Sequence, residues 1–357
     1  VSSLFPLNLP GPTAFYLCLF VATLAVHFVF ISYVLAGTIW ILAGTLFPSR
    51  NETSPVTSTL KDWMPVMLSG AITAGVAPLL FLQILYREQF YTANLLQFQR
   101  WMAILPVLIV LFYLLYVVKA LDARRRLLQV MASLLCVGCV LFIAWSWVGN
   151  HGLSLQTQEQ WTAHYDGRPT EQSGVLLRLM VWILMTFPAL SIIVAWQRRG
   201  AGSSDLWIAR VALCALVASV LPVWFYATQQ SDGVRVALTS SNVIPWLAAA
   251  AIGWMGQVLG WFAQIRLSSF HNLTRTIISA GLLLQVAGVM MLREVIRVAT
   301  LGDRIDFARH ADAATSGGLW LFLVFCVVNG ILAVWCIRMV RRNHHTGHAD
   351  GALQKHE

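Results

Sequence analysis

Apolar residues in this chain come in long unbroken runs rather than in alternation. The runs are Phe15–Phe47, Pro65–Tyr86, Met102–Lys119, Leu127–Val148, Val175–Trp196, Leu206–Thr228, Val243–Ile265, Thr276–Ala299 and Leu319–Val340. At a helical rise of about 1.5 Å per residue, each is long enough to cross about 30 Å of hydrocarbon. A barrel strand would alternate apolar and polar positions, and these runs do not. The pattern predicts an all-α polytopic membrane helix bundle of about nine transmembrane helices. Residues 1–340 form its single membrane domain, and 341–357 a polar tail. The first run is longer than a crossing needs, so it should tilt or project.

Composition agrees. Hydrophobic residues make up 58% of the 357 and charged residues only 11%, against about 25% charged in soluble domains. The net charge of +9 sits in the links between runs. Lys119 and Arg124–Arg126, then Arg198 and Arg199, then Arg266 and Arg275, then Arg338, Arg341 and Arg342 fall on alternate links. The positive-inside rule places all four on the cytoplasmic side, the N-terminus outside and the C-terminus inside. This is a topology signal, and no nucleic-acid partner is expected. The opening stretch has neither a basic segment nor a small-residue cleavage site, so no cleavable signal peptide is expected. The predicted location is a bacterial cytoplasmic membrane, crossed many times.

Six cysteines, Cys18, Cys136, Cys139, Cys214, Cys326 and Cys336, all fall inside apolar runs. Cys136 and Cys139 have CxxC spacing, but Val140 stands where covalent haem attachment requires histidine. They read as small core residues. The histidine-rich tail reads as a polar cytoplasmic end.

The first run holds the one histidine within an apolar segment, His27. An ionisable ring in hydrocarbon needs a partner: a polar side chain, a metal or a haem iron. As a haem ligand His27 would serve electron transfer. No second histidine occupies another run, which leaves Met180, Met185, Met255, Met290 or Met291, or none, for the opposite face. The bland alternative is a hydrogen bond to a neighbouring helix. His151, in "WSWVGNHG", sits at the outer end of the fourth run. It is either a second cofactor-side histidine or a solvated loop histidine in an aromatic belt.

Other polar groups gather at the outer rim. The second run ends in Gln83, Arg87 and Glu88 with Tyr86, Phe90 and Tyr91, a set that can hold a quinone ring, dock an outside partner or anchor the helix at the interface. Near the end of the eighth run Arg293, Glu294 and Arg297 stand one turn apart and can pair along the helix. Facing a cavity, this Arg–Glu group, with Arg293 foremost, or Arg178 early in the fifth run, would suit a haem propionate or a quinone headgroup. The outer segment Gly149–Gly174 suits a docking face for an outside partner. The glycines of "IGWMGQVLGWFAQI" predict close helix packing.

These motifs resemble subunit I of the cytochrome bd quinol oxidases. "HFVFISYVLAG" follows the first-span pattern in which a histidine ligates a b haem, and His27 is the matching position. "GVAPLLFLQILYR", Gly75 to Arg87, resembles the family's second-span motif. The resemblance implies a haem b, a quinone site and partner subunits. The departures are specific. Gln83 stands nearest the family's second-span glutamate, the third run lacks acidic residues, and the "GRQPW" motif is missing. Gln229–Asn242 is short where the family has a long quinol loop, and the two other haem ligands have no match. Oxygen reduction is therefore not expected. The expectation is a membrane subunit of a respiratory electron-transfer complex, possessing a b haem on His27. It would interact with quinone and exchange electrons with an outer-face cytochrome or iron–sulfur protein. The alternatives are a haem-free scaffold subunit and, third, a transporter.

Overall fold

The computed structural model describes residues 9–47, 55–121, 125–168, 173–199, 206–267 and 271–307, with scattered positions from 310 to 338. These residues are helical and contain no strand. The helices are α1 (Gly11–Leu46), α2 (Pro55–Leu85), α3 (Arg87–Leu96), α4 (Phe98–Ala120), α5 (Arg126–Ser154) and α6 (Gln158–Tyr165). After them come α7 (Ser173–Gln197), α8 (Leu206–Thr228), α9 (Asp232–Leu238), α10 (Ile244–Leu267) and α11 (Asn272–Leu301). Among the described residues eight are long and apolar enough to cross a membrane: α1, α2, α4, α5, α7, α8, α10 and α11. The protein is a multi-pass membrane helix bundle. The ninth expected span lies largely, and the polar tail wholly, outside the described residues.

Two compact units are distinguished. The larger contains Ala14–Ile305 and the smaller Pro10–Thr13 with the described residues from Asp306 onward. Within the smaller unit Thr13 Oγ1 lies 2.9 Å from His310 Nδ1, and burial lowers the pKa of that histidine. All that follows concerns the larger unit.

Three segments expected as rim links are short helices. α6 starts at a capping box: Thr157 Oγ1 accepts from Gln160 N–H, and the Gln160 side chain accepts from Thr157 N–H. Two N–H groups left open by the first helical turn are thereby satisfied. Ser231 caps α9 by accepting from Val234 N–H. α2 also begins ten residues before the apolar run and passes through Pro65 and Pro78. Membrane helices carry such prolines when neighbours re-satisfy the freed carbonyls. α11 stops at Gly302, whose φ of 51° favours a residue without Cβ.

The tightest packing joins α10 to α11. A Cβ on Gly288 would lie 2.6 Å from Ala250 N and 2.7 Å from Trp246 O. A Cβ on Gly253 would collide with Gln285 N. The glycines thus bring two backbones into contact, as small residues do between membrane helices. In the same seam Gln257 donates to Gln285, which donates in turn to Met185 Sδ at 3.3 Å. Gly288→Ala should cost about 1–3 kcal/mol, the usual scale of overpacking. Thermal unfolding of the purified protein in detergent checks this, and an unchanged midpoint would refute the backbone contact.

Candidate functional site

Backbone satisfaction comes first for His27. Its ring crosses from α1 to α2, where Nδ1–H donates to the Ala71 carbonyl at 2.9 Å. A carbonyl can only accept, so the proton sits on Nδ1 and the Nε2 lone pair is left open. Gly75, one turn beyond Ala71, makes room for the ring: a Cβ there would come within 3.0 Å of His27 Cε1 and Nδ1. Metal-bound imidazoles are commonly held this way, with the second nitrogen fixing ring orientation. The residues would therefore suit a haem iron held through His27 Nε2. They fit an interhelical hydrogen bond equally well, since the Ala71 bond satisfies the ring's donor by itself.

Among the described residues no group of three His, Cys, Asp or Glu side chains could hold a metal ion. Met185 already accepts from Gln285, and Met180 and Met255 face outward. Cys18, Cys136, Cys139 and Cys214 are free thiols.

A second centre lies where α2, α5 and α11 end and α7 begins. It is built on Glu294, which is 0% exposed. The Tyr86 hydroxyl donates to Glu294 Oε2 at 2.9 Å. Arg297 Nη1, one helical turn on, lies 3.2 Å from the same oxygen. The Arg297 guanidinium stacks 4.5 Å from the centre of the Tyr86 ring and donates from Nη2 to His151 Nδ1 at 2.9 Å. Because arginine only donates, His151 Nδ1 is unprotonated and the ring proton is on Nε2. Arg293 Nε lies 4.0 Å from Glu294 Oε1, and its guanidinium sits over Trp182. Arg178 donates to the Tyr226 hydroxyl at 3.1 Å and passes beside Gly152, the residue after His151. The charges of Arg178, Arg293 and Arg297 all act on the His151 ring.

His151, Arg178 and Arg293, expected from the sequence to share a cofactor, are therefore close neighbours. The solvated-loop reading of His151 is corrected: α5 continues through Ser154, so the ring is carried on a helix and bonded to a buried guanidinium. Tyr86 and Arg297 are central. The sequence places Tyr86 in the rim cluster that could hold a quinone and Arg297 in the Arg–Glu group of α11, and the structure brings the two together on Glu294. The i,i+3 spacing of Glu294 and Arg297 was the available signal.

A third feature is an open groove of about 510 Å³ lined by Leu80, Gln83, Ile84, Arg87 and Tyr91. Gln83, Arg87 and Tyr91, three of the residues expected to meet a quinone, thus line one surface of α2 and α3. Glu88 is exposed and is not part of that lining. Leu80 and Ile84, one turn apart, give the groove an apolar wall, and Gln83, Arg87 and Tyr91 give it polar edges.

The comparisons add no relative. No protein-family model, curated protein or solved structure matches this chain.

Removing the Glu294 charge should leave buried guanidiniums uncompensated. Glu294→Gln is expected to cost about 3–5 kcal/mol, and Tyr86→Phe, which deletes one hydrogen bond, about 1 kcal/mol. Unfolding midpoints of the two variants in detergent check the order. Equal, small effects would contradict a buried ion pair.

Proposed function

We propose that this chain is the membrane subunit of a respiratory electron-transfer complex in a bacterial cytoplasmic membrane. It carries a b-type haem on His27 and meets quinone at the α2–α3 groove. It exchanges electrons with a cytochrome or iron–sulfur protein at its outer face, as a subunit of a quinol-oxidising assembly that does not itself reduce oxygen. The observation that carries the reading is the His27 imidazole, fixed by Ala71 with Nε2 open inside an apolar helix pair. The resemblance of the first two spans to subunit I of the cytochrome bd oxidases supports it.

His27 would hold the iron through Nε2, and a bound haem would supply a one-electron carrier. Arg178 and Arg293 offer guanidiniums to its carboxylates, in the manner of charge-assisted pairs. Gln83 and Tyr91 can hydrogen-bond a quinone oxygen, while Leu80 and Ile84 cover its ring. The exposed helix α6 and its flanks at the same end offer the partner a polar surface. A haem-free scaffold is the second reading, and the observation favouring it is that the Ala71 bond alone accommodates the His27 ring.

The test is a reduced-minus-oxidised optical spectrum of the chain purified with its partners, alongside His27→Ala. A b-type band present in the parent and absent from the variant is expected. A band that survives the substitution would remove His27 as the ligand. No band in the intact complex would refute the haem and leave the scaffold.

A further inference from the structure

The arginine cluster has more positive charge than it needs for its own structure. Arg178, Arg293 and Arg297 bring three guanidiniums, and Glu294 is the one carboxylate acting on Arg293. Two positive charges are left over among the described residues. Their donors are also left over. Arg293 makes no hydrogen bond to any described residue, its nearest carboxylate oxygen being the one at 4.0 Å. Arg297 is 2% exposed, yet its Nε has no partner. The Oε1 oxygen of the fully buried Glu294 has none either.

Nearby Arg304 shows what a structural arginine looks like here. Its guanidinium donates to the carbonyls of Gln156, Leu155, Thr300 and Leu301, at 2.7, 3.2, 2.8 and 3.1 Å. It closes the carbonyl ends of two helices, as a cation at a helix C-terminus should. Arg178 and Arg293 have no such carbonyls. They stand instead around His151, whose Nε2–H is a further donor.

Burial grades across the cluster. Glu294, Arg297 and Tyr86 are enclosed, whereas Arg293, Arg178 and His151 keep some exposure. An enclosed ion pair therefore forms the floor, and the mouth holds Arg293, with no hydrogen bond to a described residue, beside Arg178, whose one described acceptor is the Tyr226 hydroxyl. Uncompensated cations at the end of a membrane bundle are costly, and an anion between them relieves that cost. Planar guanidiniums match the geometry of oxyanions and bind them bidentately.

We infer that Arg178, Arg293 and His151, over the Glu294–Arg297 pair, form a receptor for an oxyanion of the phosphate type. The phosphate arrives either as the free ion or on a phospholipid headgroup. The site rests on the reading of this cluster as ligand-facing, and it concerns the chain with no haem carboxylates on Arg178 and Arg293.

The test uses the full-length His27→Ala protein, so that haem cannot contribute, in lipid-depleted detergent. Its unfolding midpoint is followed against inorganic phosphate, against phosphatidylglycerol in mixed micelles, and against chloride at matched ionic strength. A saturable rise with phosphate or phosphatidylglycerol, absent with chloride, is expected. The responding arm identifies the source. In Arg293→Gln and Arg178→Gln, both of which keep the Glu294–Arg297 pair, the apparent affinity should fall about tenfold or more, the scale of a lost charged hydrogen bond. Three results would overturn the inference: chloride stabilising as well as phosphate, neither phosphate arm responding, or both variants responding like the parent. None of these bears on the His27 spectrum, so the two proposals fail separately.

Discussion

The buried Glu294 carboxylate determines how one end of this bundle is put together. A lone carboxylate cannot remain ionised in an enclosed helical interior, so it must find cations and donors. It finds Arg297 on its own helix and Tyr86 at the end of α2. Arg297 then reaches His151 at the end of α5. Three helix ends are tied by one charge, and the arrangement draws Arg178 and Arg293 to the same place. The polar centre is thus a consequence of satisfying one acid inside an apolar bundle.

His27 follows the same rule by a different route. It has no carboxylate or hydroxyl partner and uses a backbone carbonyl instead. That choice leaves one ring nitrogen open. The Ala71–Gly75 turn of α2 provides both the acceptor and the space, which explains why a glycine stands at position 75. The α10–α11 seam solves the satisfaction problem a third way, with glycines for contact and two glutamines bonded to each other. In each case a polar group within the bundle is answered by a specific neighbour, as the bilayer requires.

Much of this was legible in the sequence because hydrocarbon imposes so simple a code. Eight of the expected apolar runs coincide with long helices, and His27 stands out as a lone ionisable residue. The glycines around Gly253 announced close packing. The short helices α3, α6 and α9 were not seen, since a hydropathy pattern detects spans and not interfacial turns. The Thr157–Gln160 capping box was written in the chain and would have revealed α6. The site at Glu294 was half legible. Spacing along α11 gave the Glu294–Arg297 pair, but Tyr86 reaches Glu294 from 208 positions away and His151 reaches Arg297 from 146, and no local pattern encodes such contacts. His151 was misplaced because α5 continues past the apolar run into polar residues, where hydropathy no longer follows the helix.

The proposal that the open His27 nitrogen holds a haem is tested most directly by a density map of the protein isolated with its partners, resolved to the level of side chains. Planar tetrapyrrole density joined to His27 Nε2, with Nδ1 keeping its bond to Ala71, is expected. Side chains or lipid packed against Nε2, with no such density, would contradict it.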